Sequence, residues 1–315
     1  MRGVGAVLLV CAGIVAPSAQ REAGAPPGVE LVASPAAVTQ AEQSRVEAYW
    51  TSTRMRRAGL HGEAGGPPAL SVSGSLGALG RRPAADPAPV STAAPSTLRG
   101  PVARAVGRVF YTLRGRDYSC SGSAVASRNR DTVVTAGHCV NAGPGPYVRN
   151  WVFVPGYRNG ARPHGTWTAR RLVAPSGWVR SGRAPDDVGF AVLNTRAGQH
   201  LTDVVGALRI GFGQRAGSYV WAFGYPVAAP FSGRRPAWCR GTTRPDPYGT
   251  PARGLACSMT GGASGGPWLS GFSTATGTGV VYSVTSFSYR GMNRVVWAPT
   301  LGGTAASLYA AAQTW

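Results

Sequence analysis

The sequence predicts an all-β domain over residues 101–315, behind a long N-terminal portion of different texture. Three observations carry this. From about residue 104, short segments rich in β-branched and aromatic residues follow at close spacing: VGRVFYTL, YSCSGSAVAS, DTVVTAG, NWVFVPGY, TWTARRLV, DVGFAVL, SYVWAFGYP, VVYSVTSFSY and RVVWAP. Gly- and Pro-rich turns separate them, drawn from 45 Gly and 25 Pro in the chain; this is the punctuation of many short strands, not of long helices. The tail LGGTAASLYAAAQTW is Ala-rich, with Leu301, Leu308 and Tyr309 available to pack, and is the helix expected at the end of the domain.

Upstream, residues 1–19 read as a signal peptide: Arg2, the apolar run Val4–Val15, then Ala16-Pro17-Ser18-Ala19. The run is too short to span a bilayer, so secretion without a stable membrane anchor is expected. A lipid anchor at Cys11 would want a small residue before it, and Val10 is a poor one. Residues 20–100 are rich in Ala, Pro, Gly and Ser, as in PAADPAPVSTAAPS. Such composition buries too little apolar surface to offset chain entropy, so most of this stretch is expected to be disordered. The exception is 37–60, where Val38, Val46, Tyr49, Trp50 and Met55 give partial helical character. Two readings stand for it: a marginal helix in a linker, or a segment that docks on the downstream domain and is later cut away near Arg99-Gly100.

The net charge of +20 comes from Arg alone, since the chain has no Lys. Pairs such as Arg170–Arg171 and Arg234–Arg235 occur, but no long basic run. Arg without Lys fits GC-rich coding, which makes composition bias the simplest account of the charge; nucleic acid is not an expected partner, and attraction to acidic surfaces ranks above it as a functional reading. Removing Cys11 with the leader leaves Cys120, Cys139, Cys239 and Cys257, an even number that an exported chain would oxidise, with three pairings open. No C-x-x-C or Cys/His cluster has metal-ligand spacing, so a metal enzyme is not expected.

Three segments carry the chemistry. In VVTAGHCV, His138 stands at the end of a β-rich run beside Cys139. Cys120 lies 19 residues upstream across an expected hairpin, and a bridge between the two cysteines would hold the imidazole rigidly. In MTGGASGGPWL, glycines flank Ser264, leave its hydroxyl unobstructed and let several N–H groups turn toward one point. Those of Gly262 and Ser264 are the expected donors of an oxyanion hole. In APDDVGFAVL, a carboxylate ahead of an apolar strand can be buried while accepting a histidine Nδ1–H. Asp186 and Asp187 both qualify, and alternation does not choose between them. The bland readings are a structural histidine beside a structural disulfide and a flexible Gly-rich loop. His61, His164 and His200 read as solvated or structural.

The order His…Asp…Ser, with TAGHC, DDVGFAVL and GASGGP, resembles the chymotrypsin-like serine peptidases, in particular their secreted bacterial and actinomycete branch related to the glutamyl endopeptidases. The likeness covers roughly residues 104–300. It implies two antiparallel six-stranded β-barrels, over about 104–197 and 204–300, with the reactive groups at their interface. It selects Asp187 and implies that His138, Asp187 and Ser264 hydrolyse peptide bonds in protein or peptide substrates without a cofactor. The stretch VEAYWTSTRMRRAGL is similar to pro-segments of actinomycete members, which implies an intramolecular partner removed on maturation.

One departure from the family is Ala263, where trypsin-like zymogens carry the aspartate that pairs with the newly cut N-terminus. Activation is therefore expected by removal of the pro-segment, without that ion pair. A second bridge, Cys239–Cys257, is expected to stiffen the pocket wall, and the resemblance places the substrate pocket at Ser258, Thr285, Ser286, Phe287 and Ser288. No acidic residue occurs between Asp246 and Trp315, and VTSFSY has no histidine. By the resemblance, the first disfavours a pocket for basic side chains and the second departs from the histidine used for glutamyl ones; an apolar or small side chain, or an acidic one held by Arg290 or Arg294, stays open. The competing function is a noncatalytic, cationic surface-binding protein on the same fold.

Overall fold

The computed structural model describes residues 30–59, 91–93, 100–214, 217–289, 292 and 294–315. The leader expected at 1–19, His61 and the Arg99 side of the cleavage junction lie outside them.

The chain begins with β1 (Leu31–Pro35), α1 (Gln40–Tyr49) and α2 (Ser52–Arg57), followed by β2 (Ser91–Ala93) and α3 (Pro101–Ala105). Six strands then build the first half: β3 (Val106–Leu113), β4 (Arg116–Ala124), β5 (Thr132–Thr135), β6 (Arg149–Pro155), β7 (Trp167–Pro175) and β8 (Gly189–Leu193), with α4 (Ser176–Ser181) between the last two. They pair in the order β7-β6-β3-β4-β5-β8, and β8 pairs back onto β7. The sheet therefore closes into the expected six-stranded barrel, with the Arg171–Pro175 stretch of β7, beyond its pairing with β6, left open to a further strand. β3 and β8 are buried at every position, which explains why VGRVFYTL and GFAVL show no clean polar alternation.

The second half contains α5 (Leu201–Val205), β9 (Arg209–Ile210), β10 (Tyr219–Gly224), β11 (Ala237–Thr242), β12 (Arg244–Pro245), β13 (Arg253–Ala256), β14 (Pro267–Ser273), β15 (Thr278–Val284) and β16 (Val295–Ala298). Here the ladder hydrogen bonds form two sheets, a six-stranded one ordered β2-β11-β10-β14-β15-β9 and a three-stranded one ordered β12-β13-β16. A core of Val220, Ala222, Leu255, Trp268, Tyr282 and Val296, with the Cys239–Cys257 disulfide, joins them where the ladder does not. The terminal α6 (Gly303–Ala312) buries Ala305, Leu308 and Ala312, as its Ala-rich pattern predicts.

The N-terminal segment packs more fully than its composition suggests. β1 adds to the barrel sheet antiparallel to β7, from Leu31↔Pro175 to Pro35↔Arg171, a strand that LVASP does not advertise. The helical character of 37–60 resolves into two short helices, each with a threonine N-cap: Thr39 accepts from the Glu42 N–H and Thr51 from that of Arg54. The break at Trp50 explains the imperfect periodicity. Trp50 is wholly buried, its Nε1–H donates to the Asn150 carbonyl at 2.6 Å, and its ring lies 5.4 Å from that of Phe110. Trp50→Ala is expected to cost about 3–5 kcal/mol of packing. The check is limited proteolysis, with residues 30–59 cut in the variant under conditions that spare the parent.

Candidate active site

His138 lies in the tight turn Gly137–Cys139 that follows β5. The pairing of β5 with β8, with Thr135 opposite Gly189, brings this turn beside Asp187. One carboxylate holds the histidine twice. The His138 backbone N–H donates to Asp187 Oδ1 at 2.8 Å, and Nδ1 lies 2.9 Å from Oδ2. An ionised carboxylate only accepts, so Nδ1 carries the proton and Nε2 is left as the basic nitrogen. The approach is close enough that a Cβ on Gly137 would stand 3.0 Å from Asp187 Oδ1 and from the Trp178 ring.

Asp187 is wholly buried. Ser286, just beyond β15, gives it a further hydrogen bond to Oδ2. Burial acts to raise its pKa and is the largest single influence. The His138 charge, the His138 and Ser286 hydrogen bonds and the His138 backbone N–H together outweigh it, so the carboxyl sits below its ordinary value. Asp186 goes elsewhere: its carboxylate is 3.5 Å from Arg183 Nε. The structure thus separates two adjacent aspartates that sequence alternation leaves equivalent.

Ser264 is placed by its main chain. Its carbonyl accepts the Ser121 N–H at 2.7 Å and stands 3.8 Å from Cys139 Sγ, whose disulfide partner is Cys120. The Ser121 hydroxyl donates to the Gly262 carbonyl at 2.8 Å and accepts the Tyr225 N–H at 2.8 Å. Gly265 has φ +78°, and a Cβ there would be 2.1 Å from Thr135 Oγ1; only glycine lets the loop lie this close to the end of β5. Within the loop, the N–H groups of Ala263, Gly265 and Gly266 donate to the carbonyls of Thr260, Thr285 and Ala263. Among the described residues, those of Gly262 and Ser264 meet no acceptor. The hydrogen bonds of His138 all run to Asp187 among these residues; the link between its turn and the serine loop is made by the neighbouring Cys139, through its sulfur and its disulfide to Cys120, and by the Ser121 clamp.

The expected pocket residues divide into two groups. Thr285 is engaged with the serine loop, and its Oγ1 accepts the Trp268 Nε1–H at 2.9 Å; Ser286 is engaged with Asp187. Phe287 packs 5.2 Å from Tyr289, while Ser258 and Ser288 are half-buried. His200 is paired with buried Asp131, Nδ1 to Oδ2 at 2.7 Å, and burial followed by Arg104 and Arg158 lowers the pKa of His164. Sequence reasoning missed Ser121, whose signal was a small hydroxyl directly after Cys120. It also missed Trp178, whose ring is 6.3 Å from that of His138.

No family model matches the sequence. The fold is similar to that of the protease Anisep from Arthrobacter nicotinovorans, with 43% identity over 67% of this chain and 96% of that one, at a TM-score of 0.65. A thermostable serine protease, AL20, from an extremophilic microorganism is 41% identical over 68% of this chain and 99% of that one, also at 0.65. A Glu endopeptidase solved in complex with MPD shares the fold at 18% identity, over 73% of this chain and 98% of that one, at 0.57. Among curated sequences, an extracellular metalloprotease of Bacillus subtilis (strain 168) is 33% identical over 90 residues, which make up 29% of this chain and 28% of that protein. The match therefore spans little more than a quarter of that relative. Metal ligation finds poor donors here: the cluster Cys120, His138 and Cys139 has both its sulfurs in one disulfide, and a metal would need them as thiolates.

Because the folded Asp187 holds its proton less tightly than an unfolded aspartate, its charge stabilises the fold above the ordinary value of about 4. That contribution is lost as pH falls through the lower folded value. Denaturant midpoints measured between about pH 7 and 2 should decline on the acid side. Asp187→Asn should lower the neutral midpoint and flatten this part of the profile.

Proposed function

The chain belongs to the chymotrypsin-like serine peptidases, and we propose that it is a secreted endopeptidase working through His138, Asp187 and Ser264. The observation that carries this reading is the double hold of Asp187 on His138, which fixes the proton on Nδ1 and turns Nε2 into a base. Ser264 Oγ attacks the carbonyl carbon of the scissile bond while its proton passes to Nε2. The developing oxyanion is received by the unengaged N–H groups of Gly262 and Ser264. His138 then gives the proton to the departing amine, and water, activated by the same nitrogen, releases the acyl group. Asp187 orients the ring and stabilises its charged form throughout.

Secretion is supported by the leader pattern and by two disulfides, which persist in oxidising surroundings. The segment 30–59 is proposed as an intramolecular partner removed on maturation. The solved relatives cover about two thirds of this chain, the share that residues 101–315 make up. Ala263 is buried and offers no carboxylate to a new N-terminus, so activation consists in uncovering the site. Substrates are proteins or peptides, with Ser258, Phe287 and Ser288 lining the pocket and Thr285 and Ser286 behind it.

Ser264→Ala is expected to lower kcat by about 10⁴–10⁶ with an unchanged denaturant midpoint, and a fluorophosphonate should label Ser264 in the parent alone. Near-parental activity in the variant would reject the assignment. Absence of labelling, with salt-sensitive binding to anionic surfaces retained, would favour the noncatalytic cationic reading instead.

A further inference from the structure

Arg108, on β3, is a buried cation facing neutral acceptors. It is 1% exposed. Nη1 donates to the Gly233 carbonyl at 3.1 Å, and Nη2 to Ser119 Oγ and to the Ala58 carbonyl, both at 2.8 Å. Nε is buried without an acceptor. The rings of Phe110 and Tyr157 lie 4.8 and 5.3 Å from the guanidinium carbon, and no carboxylate pairs with it among the described residues. Burial brings its pKa down to about 10, so it stays charged at neutral pH. Buried charges are ordinarily paired, because desolvation is otherwise uncompensated.

The position of this cation connects it to the cleft. Ser119 precedes Cys120 and Ser121, and Ser121 holds the Ser264 carbonyl. Val227 forms the opposite wall, its N–H donating to the Gly261 carbonyl at 2.8 Å. A Cβ on Gly262 would stand 2.9 Å from Val227 Cγ1, and one on Gly233 2.7 Å from the same methyl. Ala58-Gly59 is lodged between the walls: a Cβ on Gly59 would be 2.7 Å from Ser119 Oγ and 3.3 Å from Val227. Thr285 flanks the serine loop on the other side, its carbonyl accepting the Gly265 N–H at 2.7 Å. The serine loop is thus held by Thr285 on one side and on the other by Ser121, two residues after Ser119.

We propose that Ala58-Gly59 occupies the leaving-group side of the cleft and that Arg108, uncovered when the segment is removed, is a specificity-determining residue that takes a carboxylate from the departing part of the substrate. The proposal rests on the peptidase reading above. Of the three acceptors of Arg108, the Ala58 carbonyl is the one that leaves with the segment. A substrate Asp or Glu in its place replaces a neutral hydrogen bond with a charge-assisted one and neutralises the buried cation. The favoured substrates are therefore peptides with an acidic residue shortly after the scissile bond.

The test uses the full chain expressed in a secreting host, with the processed form identified by N-terminal sequencing. Internally quenched peptides, identical up to the scissile bond, carry Glu or Gln at the first, second or third residue beyond it. At one of these positions the Glu peptide is expected to show a kcat/KM about tenfold or more above its Gln counterpart. That ratio should fall to about one in Arg108→Gln and to an intermediate value in Arg108→Lys, which keeps the charge and loses the planar fork. A p-nitroanilide, which has no residues beyond the scissile bond, reports the chemistry of the parent separately. Anilide turnover with equal Glu and Gln rates at all three positions overturns the proposal and leaves the peptidase reading standing, as does a preference that survives in Arg108→Gln. No anilide turnover in the processed parent sinks the peptidase reading itself. Should Arg108→Gln fail to fold, the parent ratio and Arg108→Lys decide.

Discussion

A wholly buried carboxylate is tolerable only when its oxygens are fully engaged, and satisfying Asp187 organises much of the molecule around it. Two of its hydrogen bonds come from the turn after β5 and one from Ser286 in the other half of the domain. A single charge therefore ties the closed barrel to the two-sheet half and orients the imidazole as it does so. The lowered pKa of this carboxyl is the electrostatic record of that engagement. Ser121 makes the complementary tie, holding the carbonyls of Gly262 and Ser264 and the N–H of Tyr225. With both ties in place, the serine loop, the histidine turn and the aspartate have little freedom relative to one another.

The two halves contribute differently to this arrangement. The closed barrel supplies His138 and Asp187 from the segments just after β5 and just before β8, whose pairing of Thr135 with Gly189 sets their separation through a ladder of backbone hydrogen bonds. The second half supplies a loop whose shape depends on glycines and on contacts reaching back to the barrel, with Cys239–Cys257 joining its sheets. The N-terminal segment spans the boundary between them, since Arg108 of the barrel donates to carbonyls of both Ala58 and Gly233.

The excess of Arg acquires a structural meaning in the fold. Guanidinium groups lie over aromatic rings, as Arg54 does over Tyr49 at 3.8 Å and Arg240 over Trp221 at 4.9 Å. The same Arg54 also pairs with Asp117, and Arg130 pairs with Asp203. Planar, weakly hydrated cations suit such stacking, so part of the positive charge is engaged in local contacts.

The all-β class, the terminal helix and the two disulfides were legible in the residues, because strand punctuation, an Ala-rich tail and an even set of cysteines are properties of local sequence. The motifs around His138, Asp187 and Ser264 were legible as candidates for the same reason. Other features depend on partners far away in the chain. Asp187 is told from Asp186 by a turn 49 residues distant and by a serine 99 residues distant. Ser286 donates to that carboxylate from the other half of the domain, and LVASP becomes a strand only because β7 offers an edge. The second half spreads over two sheets because its core and disulfide do the joining that ladder bonds do in the first. Local composition sets which elements form; only packing between distant segments sets which donor meets which buried acceptor, and here those meetings define the site.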